Sequence, residues 1–264
     1  AEVLLAHARG CQRIELYTTF EEIADEALRE RFRALVRQRA DGMPVAYLAG
    51  RREFFSLTFE VTRDVLIPRP ETEQLVVRAL DVARQRPSGD PIDLVDVGTG
   101  SGILAVCLAK HLPACHVTAL DVSGAALEVA ARNAARHQVD KRIEFVQSDL
   151  FAAIDADRQF DLIVSNPPYV KTAELDEVAV GVRKYEPRSA LDGGEQGMDA
   201  YQRLIPEVSG RLRPGGWFLA EIGPAVAADV ERLLAEASGL QPHPTLRDLS
   251  DHPRVVQACR KESS

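Results

Sequence analysis

The stretch Ile92-Asp-Leu-Val-Asp-Val97 is an apolar, β-forming run that passes straight into three glycines at alternate positions, Gly98, Gly100 and Gly102, and then into an apolar helix-forming segment. A strand that becomes a helix through glycines confines the chain to α/β architecture. Glycine lets the backbone turn tightly and approach a ligand at the sheet edge where such proteins bind nucleotides. A plain strand-to-helix turn does not call for three. The flanking sequence carries the same alternation. After the first strand, Ile92–Val97, a helix is predicted from Gly102 to His111 and a second strand at His116–Leu120. Ser123 reads as an N-cap and Ala125–His137 as its helix. Arg142–Gln147 and Phe160–Ser165 read as further strands, Tyr201–Leu212 as a helix, Pro214-Gly215-Gly216 as a turn and Trp217–Ile222 as a strand. A helix from Ala225 to about Ala237 and a final strand at Pro253–Cys259 complete the set. Such alternation predicts a parallel, doubly wound α/β sheet.

Upstream the pattern changes. Between Glu21 and Arg39, Leu28, Phe32, Leu35 and Val36 recur on one helical face, and with Val3–Arg9 they predict a small helical module. Asp41-Gly42-Met43-Pro44 breaks that helix. The following REFFSLTFEVTRDVLIPRP reads as a hairpin with its turn at Ser56, and its prolines keep Ile67-Pro68-Arg69-Pro70 extended. The chain opens at Ala1 in what reads as mid-helix, so a longer first helix in the native protein is expected. With 264 residues, one large domain and an appendage is the expected organisation.

Net charge is −8, with 11 basic and 11 acidic side chains in residues 1–70 and 21 against 29 in the remainder. Neither part has the basic excess of a protein held on nucleic acid through phosphates, so no stable nucleic-acid binding is expected. No apolar run is long enough for a bilayer, and no membrane association is expected. Cys11, Cys107, Cys115 and Cys259 are spread without a C-x-x-C pair, which predicts reduced thiols, and no metal is expected.

Glycine spacing distinguishes the nucleotides. A dinucleotide fingerprint, G-x-G-x-x-G, would need glycine where Ile103 stands, which disfavours a dehydrogenase. Asp96-Val-Gly98-Thr99-Gly100-Ser101-Gly102 instead resembles the first motif of class I methyltransferases, and this implies S-adenosyl-L-methionine as cofactor. Asp96 is a carboxylate inside an apolar strand, costly unless it has a partner. By the resemblance it helps hold the cationic methionine end. Asp121, ending the second strand, is placed to accept the ribose hydroxyls. Asp149 and Leu150 follow the third strand, where the family contacts adenine. Leu150 replaces a frequent aromatic there, and Phe151 is the alternative packing partner. Asn166 completes the expected cofactor contacts.

The fourth strand runs into Asn166-Pro167-Pro168-Tyr169, which resembles the signature of methyltransferases acting on planar nitrogens. Such a nitrogen has a delocalised lone pair and is a poor nucleophile. The Asn166 side-chain oxygen and the Pro167 carbonyl can accept its two N–H bonds. Pro167 and Pro168 preorganise these acceptors, and Tyr169 can stack on the planar group. Asn166, Pro167 and Tyr169 are the expected catalytic residues, with Pro168 also in the substrate site. The transfer would be an in-line displacement driven by positioning, with no strong base.

The motif does not separate adenine from glutamine, but other segments do. Pro44-Val-Ala-Tyr-Leu-Ala-Gly50 with Glu53-Phe54, Ile67-Pro-Arg-Pro-Glu-Thr-Glu73, Arg183-Lys-Tyr-Glu-Pro187, Ala190-Leu191 and Gly193-Gly194 closely resemble the release factor glutamine methyltransferases. That resemblance runs over nearly the whole chain. It implies methyl transfer to the side-chain amide nitrogen of the glutamine in the Gly-Gly-Gln motif of class I peptide-chain release factors, in the cytoplasm. It further implies a class I, Rossmann-like methyltransferase sheet of about seven strands with the last antiparallel. Residues 1–52 would form a helical docking module, 53–70 a β-hairpin linker and 71–264 the methyltransferase domain. An adenine-N6 methyltransferase of DNA or RNA would need a basic recognition surface that the charge does not supply. A non-catalytic cofactor-binding protein that docks on release factors would have no use for Asn166–Tyr169.

Overall fold

The computed structural model describes residues 1–86 and 91–261. Four helices come first: α1 (Glu2–Arg9), α2 (Glu15–Thr18), α3 (Glu26–Ala40) and α4 (Val45–Ala49). A hairpin of β1 (Arg51–Phe54) and β2 (Leu57–Glu60) follows. The rest alternates: α5 (Glu73–Arg84), β3 (Ile92–Val97), α6 (Ile103–His111), β4 (Cys115–Asp121), α7 (Gly124–Arg136), β5 (Ile143–Gln147), β6 (Phe160–Ser165), α8 (Val180–Tyr185), α9 (Asp199–Arg211), β7 (Leu212–Glu221), α10 (Ala227–Glu236), β8 (Leu240–Arg247) and β9 (Pro253–Arg260).

The large sheet has the order β5-β4-β3-β6-β7-β9-β8. β3 to β7 pair in parallel, whereas β9 runs antiparallel to both β7 and β8. Each face of the sheet carries its own core. Leu94, Leu162 and Leu219 pack with α5 and α6 on one side, and Val95, Ile163 and Phe218 with α9 and α10 on the other. Every residue of β6 is buried. This is the doubly wound α/β sheet that the alternation predicts.

Two elements of the large sheet depart from the sequence reading. Strand β8 escapes it because Pro242 and Pro244 mask the pattern, and prolines are tolerated there since β8 is an edge strand. Pro214-Gly215-Gly216 is not a turn before a strand but a bulge within β7. The register against β6 jumps from Phe160↔Leu212 to Leu162↔Trp217, with Gly215 at φ +73°.

In the N-terminal part α3 starts at Glu26, not Glu21, because the Asp25 carboxylate accepts from Leu28 N at 2.7 Å and caps the helix there. α1 buries Leu4, Ala6 and Ala8. By contrast no residue of α3 is fully buried: Leu28, Phe32 and Leu35 are half-covered and Val36 is exposed. The predicted apolar face exists, yet short α1 and α4 cannot cover it. The arginines on α3 act locally: Arg29 and Arg33 pair with Glu26, and Arg31 donates to Ala8 O.

The hairpin turns at Phe55 and Ser56, both left-handed (φ +49° and +60°), the geometry that matches the twist of a two-residue hairpin. Its inner face is buried through Phe54 and Phe59. Fully buried Asn133 on α7 holds it in place. Its side chain accepts from Glu60 N (2.7 Å) and donates to Glu60 O (3.0 Å) and Ser101 O (2.9 Å), joining hairpin, helix and glycine loop. Truncation would strand three backbone groups, each costing about 1–3 kcal/mol if left unpaired. We expect Asn133→Ala to lower unfolding free energy by about 3 kcal/mol or more in a urea titration. A change below about 0.5 kcal/mol, typical of an ordinary surface position, would show that the hairpin is held by its phenylalanines alone.

Candidate functional site

β3 and β6 are parallel neighbours, so the loops leaving their C-terminal ends open side by side. Val97 pairs with Ser165, and the Ser165 hydroxyl donates to Val97 O at 2.7 Å, tying the two ends together. The loop after β3 is folded back on β4: Gly98 N and Thr99 N both donate to Leu120 O at 2.8 Å.

Two carboxylates hold this loop from inside. Asp96, fully buried, accepts through Oδ2 from the Thr99 hydroxyl (2.7 Å) and Ala105 N (3.1 Å). Burial pushes its pKa up to about 7, the two hydrogen bonds oppose that rise, and the nearby Asp121 charge adds to it. Its Oδ1 has no hydrogen-bond partner among the described residues. Asp121 accepts from Gly100 N (2.8 Å) and Ser123 N (2.9 Å), and its pKa is raised chiefly by burial.

The glycines divide by role. At Gly98 (φ +77°) and Gly100 (φ +55°) a Cβ would meet nothing within 4 Å, so both face open space. At Gly102 a Cβ would lie 3.0 Å from Ala130 Cβ, so that glycine serves the packing of the loop on α7.

The open space is one cavity. Gly98–Ser101, Asp121, Asp149 and Leu150 form one wall, and Asn166–Pro168 another. Arg69 and Thr72, from the Pro-Arg-Pro-Glu-Thr-Glu run, also line it. Asp149 sits at the rim in an exposed ion pair with Arg203 (2.8 Å). Leu150 faces the cavity at φ +50°, whereas Phe151 is buried in the core near Phe160 and cannot replace it there.

Asp96, Gly102 and Tyr169 lie behind the cavity wall. The Tyr169 ring packs where a Gly223 side chain would be, since a Cβ there would come 2.7 Å from Tyr169 Cδ2. Its hydroxyl points to Glu221 Oε1 at 3.4 Å, and burial raises its pKa to about 12. The ring of half-buried Tyr169 thus packs against Gly223 and Glu221 and is not among the residues that line the cavity. Asn166 Nδ2 donates to the Thr72 hydroxyl at 3.3 Å.

Sequence reasoning missed three residues here. Thr72 and Glu221 are buried beside the motif. Glu186 is buried as well, accepting from Ile67 N (3.1 Å) and pairing with Arg69 (2.7 Å), so it joins two of the motif segments. A carboxylate closing the apolar strand Trp217–Ile222 was the available signal for Glu221, by the logic applied to Asp96. Thr72 and Glu186 stand inside two of the segments that carry the family resemblance, which marked the segments without giving either residue a role.

The Methyltransferase small domain model matches residues 72–183, and the PrmC N-terminal domain model matches residues 1–50. The release factor glutamine methyltransferase of Rhodopirellula baltica is 45% identical over 257 residues, covering 97% of this chain and 87% of that protein. Its namesake in Koribacter versatilis is 43% identical, covering 97% and 89%. Among solved structures, a methyltransferase from Pyrococcus furiosus aligns with TM-score 0.56 at 17% identity, covering 88% of this chain and 98% of the other. A 16S rRNA methyltransferase of Thermus thermophilus, in complex with AdoMet and guanosine, aligns with TM-score 0.57 at 23% identity, covering 80% and 50%. These two likenesses show the class I methyltransferase fold.

A glycine-rich collar fixes the backbone after Asn166. Val170 N donates to Leu191 O and Gly193 N to Val170 O. A Cβ on Gly197 (φ +72°) would lie 2.5 Å from Tyr169 O. Gly197→Ala therefore incurs both a left-handed penalty and a backbone clash, and we expect it to cost about 2 kcal/mol or more. Gly210→Ala, with open space around it in α9, should stabilise by about 0.5–1 kcal/mol. Equal unfolding midpoints for the two variants would refute the collar.

Proposed function

The chain belongs to the release factor glutamine methyltransferases, and we propose that its cavity holds S-adenosylmethionine against the side-chain amide of a glutamine in a class I release factor. It is a methyltransferase whose substrate is a release-factor glutamine. The observation that carries the site assignment is that the open glycine wall and the Asn166–Pro168 wall face one cavity.

The residues present fit an adenosyl group. Gly98 and Gly100 turn side-chain-free backbone to the open space, and Asp121 stands beside them to accept from a diol. Leu150 offers an apolar surface to a base. Bound there, S-adenosylmethionine supplies an electrophilic methyl group on a sulfonium. Asp96 acts through the loop, holding Thr99 and Ala105 in place beneath it. Asn166 Oδ1 and the Pro167 carbonyl accept the two N–H bonds of the amide, orienting the nitrogen. Pro167 and Pro168 keep those acceptors rigid, and Tyr169 braces them from behind. No residue has to remove a proton before transfer, because the nitrogen becomes strongly acidic only as the new bond forms.

The acceptor wall suits any planar nitrogen, so discrimination has to come from elsewhere. The N-terminal helices and hairpin are the available surface, and we assign docking of the factor to residues 1–52 and the linker 53–70. Their balanced charge does not favour a nucleic-acid substrate. No helix among the described residues is long and apolar enough to cross a membrane. A cytoplasmic location accords with a substrate that works on ribosomes.

Two variants separate binding from chemistry. Asp121→Ala should weaken S-adenosylmethionine binding by about 1–3 kcal/mol in calorimetry, and unchanged affinity would remove Asp121 from the site. Asn166→Ala should lower kcat on the order of a hundredfold while leaving cofactor affinity nearly intact. Near-normal turnover would reduce Asn166 to a turn residue. For the substrate, labelled S-adenosylmethionine is supplied with a release factor, its Gln→Ala variant, the loop peptide, or adenine-containing DNA or RNA. We expect label on the intact factor, little on the peptide and none on the others, because remote contacts position the glutamine. Label on nucleic acid but not on the factor would overturn the assignment.

A further inference from the structure

The N-terminal helices meet the methyltransferase domain at a contact that the roles assigned so far leave unused. The turn 41–44, between α3 and α4, is seated on α8, the short helix Val180–Tyr185. The approach is backbone to backbone. A Cβ on Gly181 would lie 2.9 Å from Gly42 O, and a Cβ on Gly42, at φ +96°, would lie 3.2 Å from Val180 Cγ1. Tyr185, half-buried at the end of α8, donates its hydroxyl to Asp41 O at 3.1 Å, and Lys184 Nζ lies 3.5 Å from the same oxygen. That carbonyl belongs to the cap residue of α3, where a helix leaves carbonyls unpartnered and presents the negative end of its dipole. The linker joins the same contact. The Arg63 guanidinium stands over the Tyr185 ring, 5.1 Å from its centre, and reaches Met43 Sδ at 4.0 Å.

The chain after Tyr185 becomes cavity wall. Glu186 is buried on Ile67 N and Arg69, and Pro187, Ser189 and Ala190 line the cavity, as does Arg69 from the linker. Tyr185 therefore stands between the end of α3 and two segments of that wall. Other contacts hold α4: the hairpin that follows it is fixed by Asn133, and its Tyr47 hydroxyl donates to Val65 O at 2.6 Å. The hydrogen bonds that join α3 and its cap to residues beyond the linker are, among the described residues, those of Tyr185 and Lys184. We propose that Tyr185 is a positioning residue for the transfer: it pins the end of α3 to the cavity wall, so that a factor received by the N-terminal helices has its glutamine brought to the Asn166 wall at a fixed place. A reacting group displaced by about 1 Å can react on the order of a hundredfold more slowly. The inference rests on the reading of residues 1–52 as the docking unit.

The variants are Tyr185→Phe, which keeps the ring beneath Arg63 and removes the hydroxyl, and Tyr185→Ala, which removes both. The first readout needs neither cofactor nor substrate. Amide hydrogen exchange over residues 41–49 should quicken about tenfold or more in Tyr185→Ala, with β3 and β6 within about twofold of wild type. The second readout compares an intact release factor with its loop peptide. On the factor, Tyr185→Ala should lower kcat about tenfold or more with the KM for the factor within about threefold, and Tyr185→Phe should fall between it and wild type. Labelling of the peptide and the calorimetric affinity for S-adenosylmethionine should stay within about twofold of wild type in both variants. Unchanged exchange at 41–49, a factor rate within about twofold of wild type in Tyr185→Ala, or a loss matched in the peptide rate or in cofactor affinity would overturn the proposal. Wild-type protein that labels the peptide as fast as the factor, or labels no factor, would overturn the docking or substrate reading instead, with the exchange comparison still deciding whether Tyr185 holds the end of α3.

Discussion

The parallel pairing of β3 with β6 is the constraint on which the site depends. In the order β5-β4-β3-β6-β7-β9-β8, strands after β3 are added first on one side and then on the other, so the reversal falls between β3 and β6. At such a reversal the outgoing loops diverge to opposite faces and leave a crevice. Here one loop is the glycine turn and the other is Asn166–Tyr169. The register Val97↔Ser165, reinforced by the Ser165 hydroxyl on Val97 O, sets their relative height. A one-residue slip would turn every side chain of β6 to the opposite face and destroy both cores, so the cavity is as firmly specified as the core itself.

Four carboxylates, three buried and Asp121 half-buried, then set the loops on this frame. Asp96 ties Thr99 to the start of α6, Asp121 holds Gly100, Glu186 joins Ile67 and Arg69 to the segment after α8, and Glu221 stands behind Thr72 and Tyr169. Taking an ionised group out of water costs several kcal/mol unless hydrogen bonds or opposite charge offset it. The four are offset unequally. Glu186 has a guanidinium and a backbone N–H, whereas Asp96 and Glu221 each keep one oxygen without a partner and have pKa values raised to about 7. The less satisfied pair lies behind the cavity, Asp96 under the glycine loop and Glu221 beside Tyr169. Incomplete satisfaction of that kind is expected where structure is kept for a ligand and not for stability.

The sequence made the local features legible and left the long-range ones dark. The glycine turn, the hairpin turn at Ser56 and the helix start at Ser123 all depend on neighbours within a few residues, and the structure has them where the pattern places them. Strand β8 was hidden because its prolines are permitted only by its edge position, which is a tertiary fact. The Pro-Gly-Gly of β7 looks like a turn locally and becomes a bulge only against β6. Asn133 bridges residues 73 and 32 positions away, and Asn166 reaches Thr72 across 94. The orientation of Tyr169 followed the same rule. Its position at the motif was visible, but the space above Gly223 that draws the ring inward was not.

The N-terminal helices complete this logic from the opposite direction. A core is expected to cover its apolar side chains, yet Ile14, Phe20 and Ile23 are 66%, 78% and 94% exposed and α3 buries none of its face completely. Exposed apolar residues also occur elsewhere, at Val77, Val122, Val180 and Leu249, and the N-terminal unit, which adds no wall to the cavity, carries Ile14, Tyr17, Phe20 and Ile23 among them. In the proposed reading, acceptors that respond only to N–H geometry do not tell one planar amide from another. The cavity is joined through Asn133 and the hairpin to helices that leave part of their apolar face uncovered. In the function proposed above, chemistry is fixed by the sheet and the choice of substrate is assigned to the N-terminal helices.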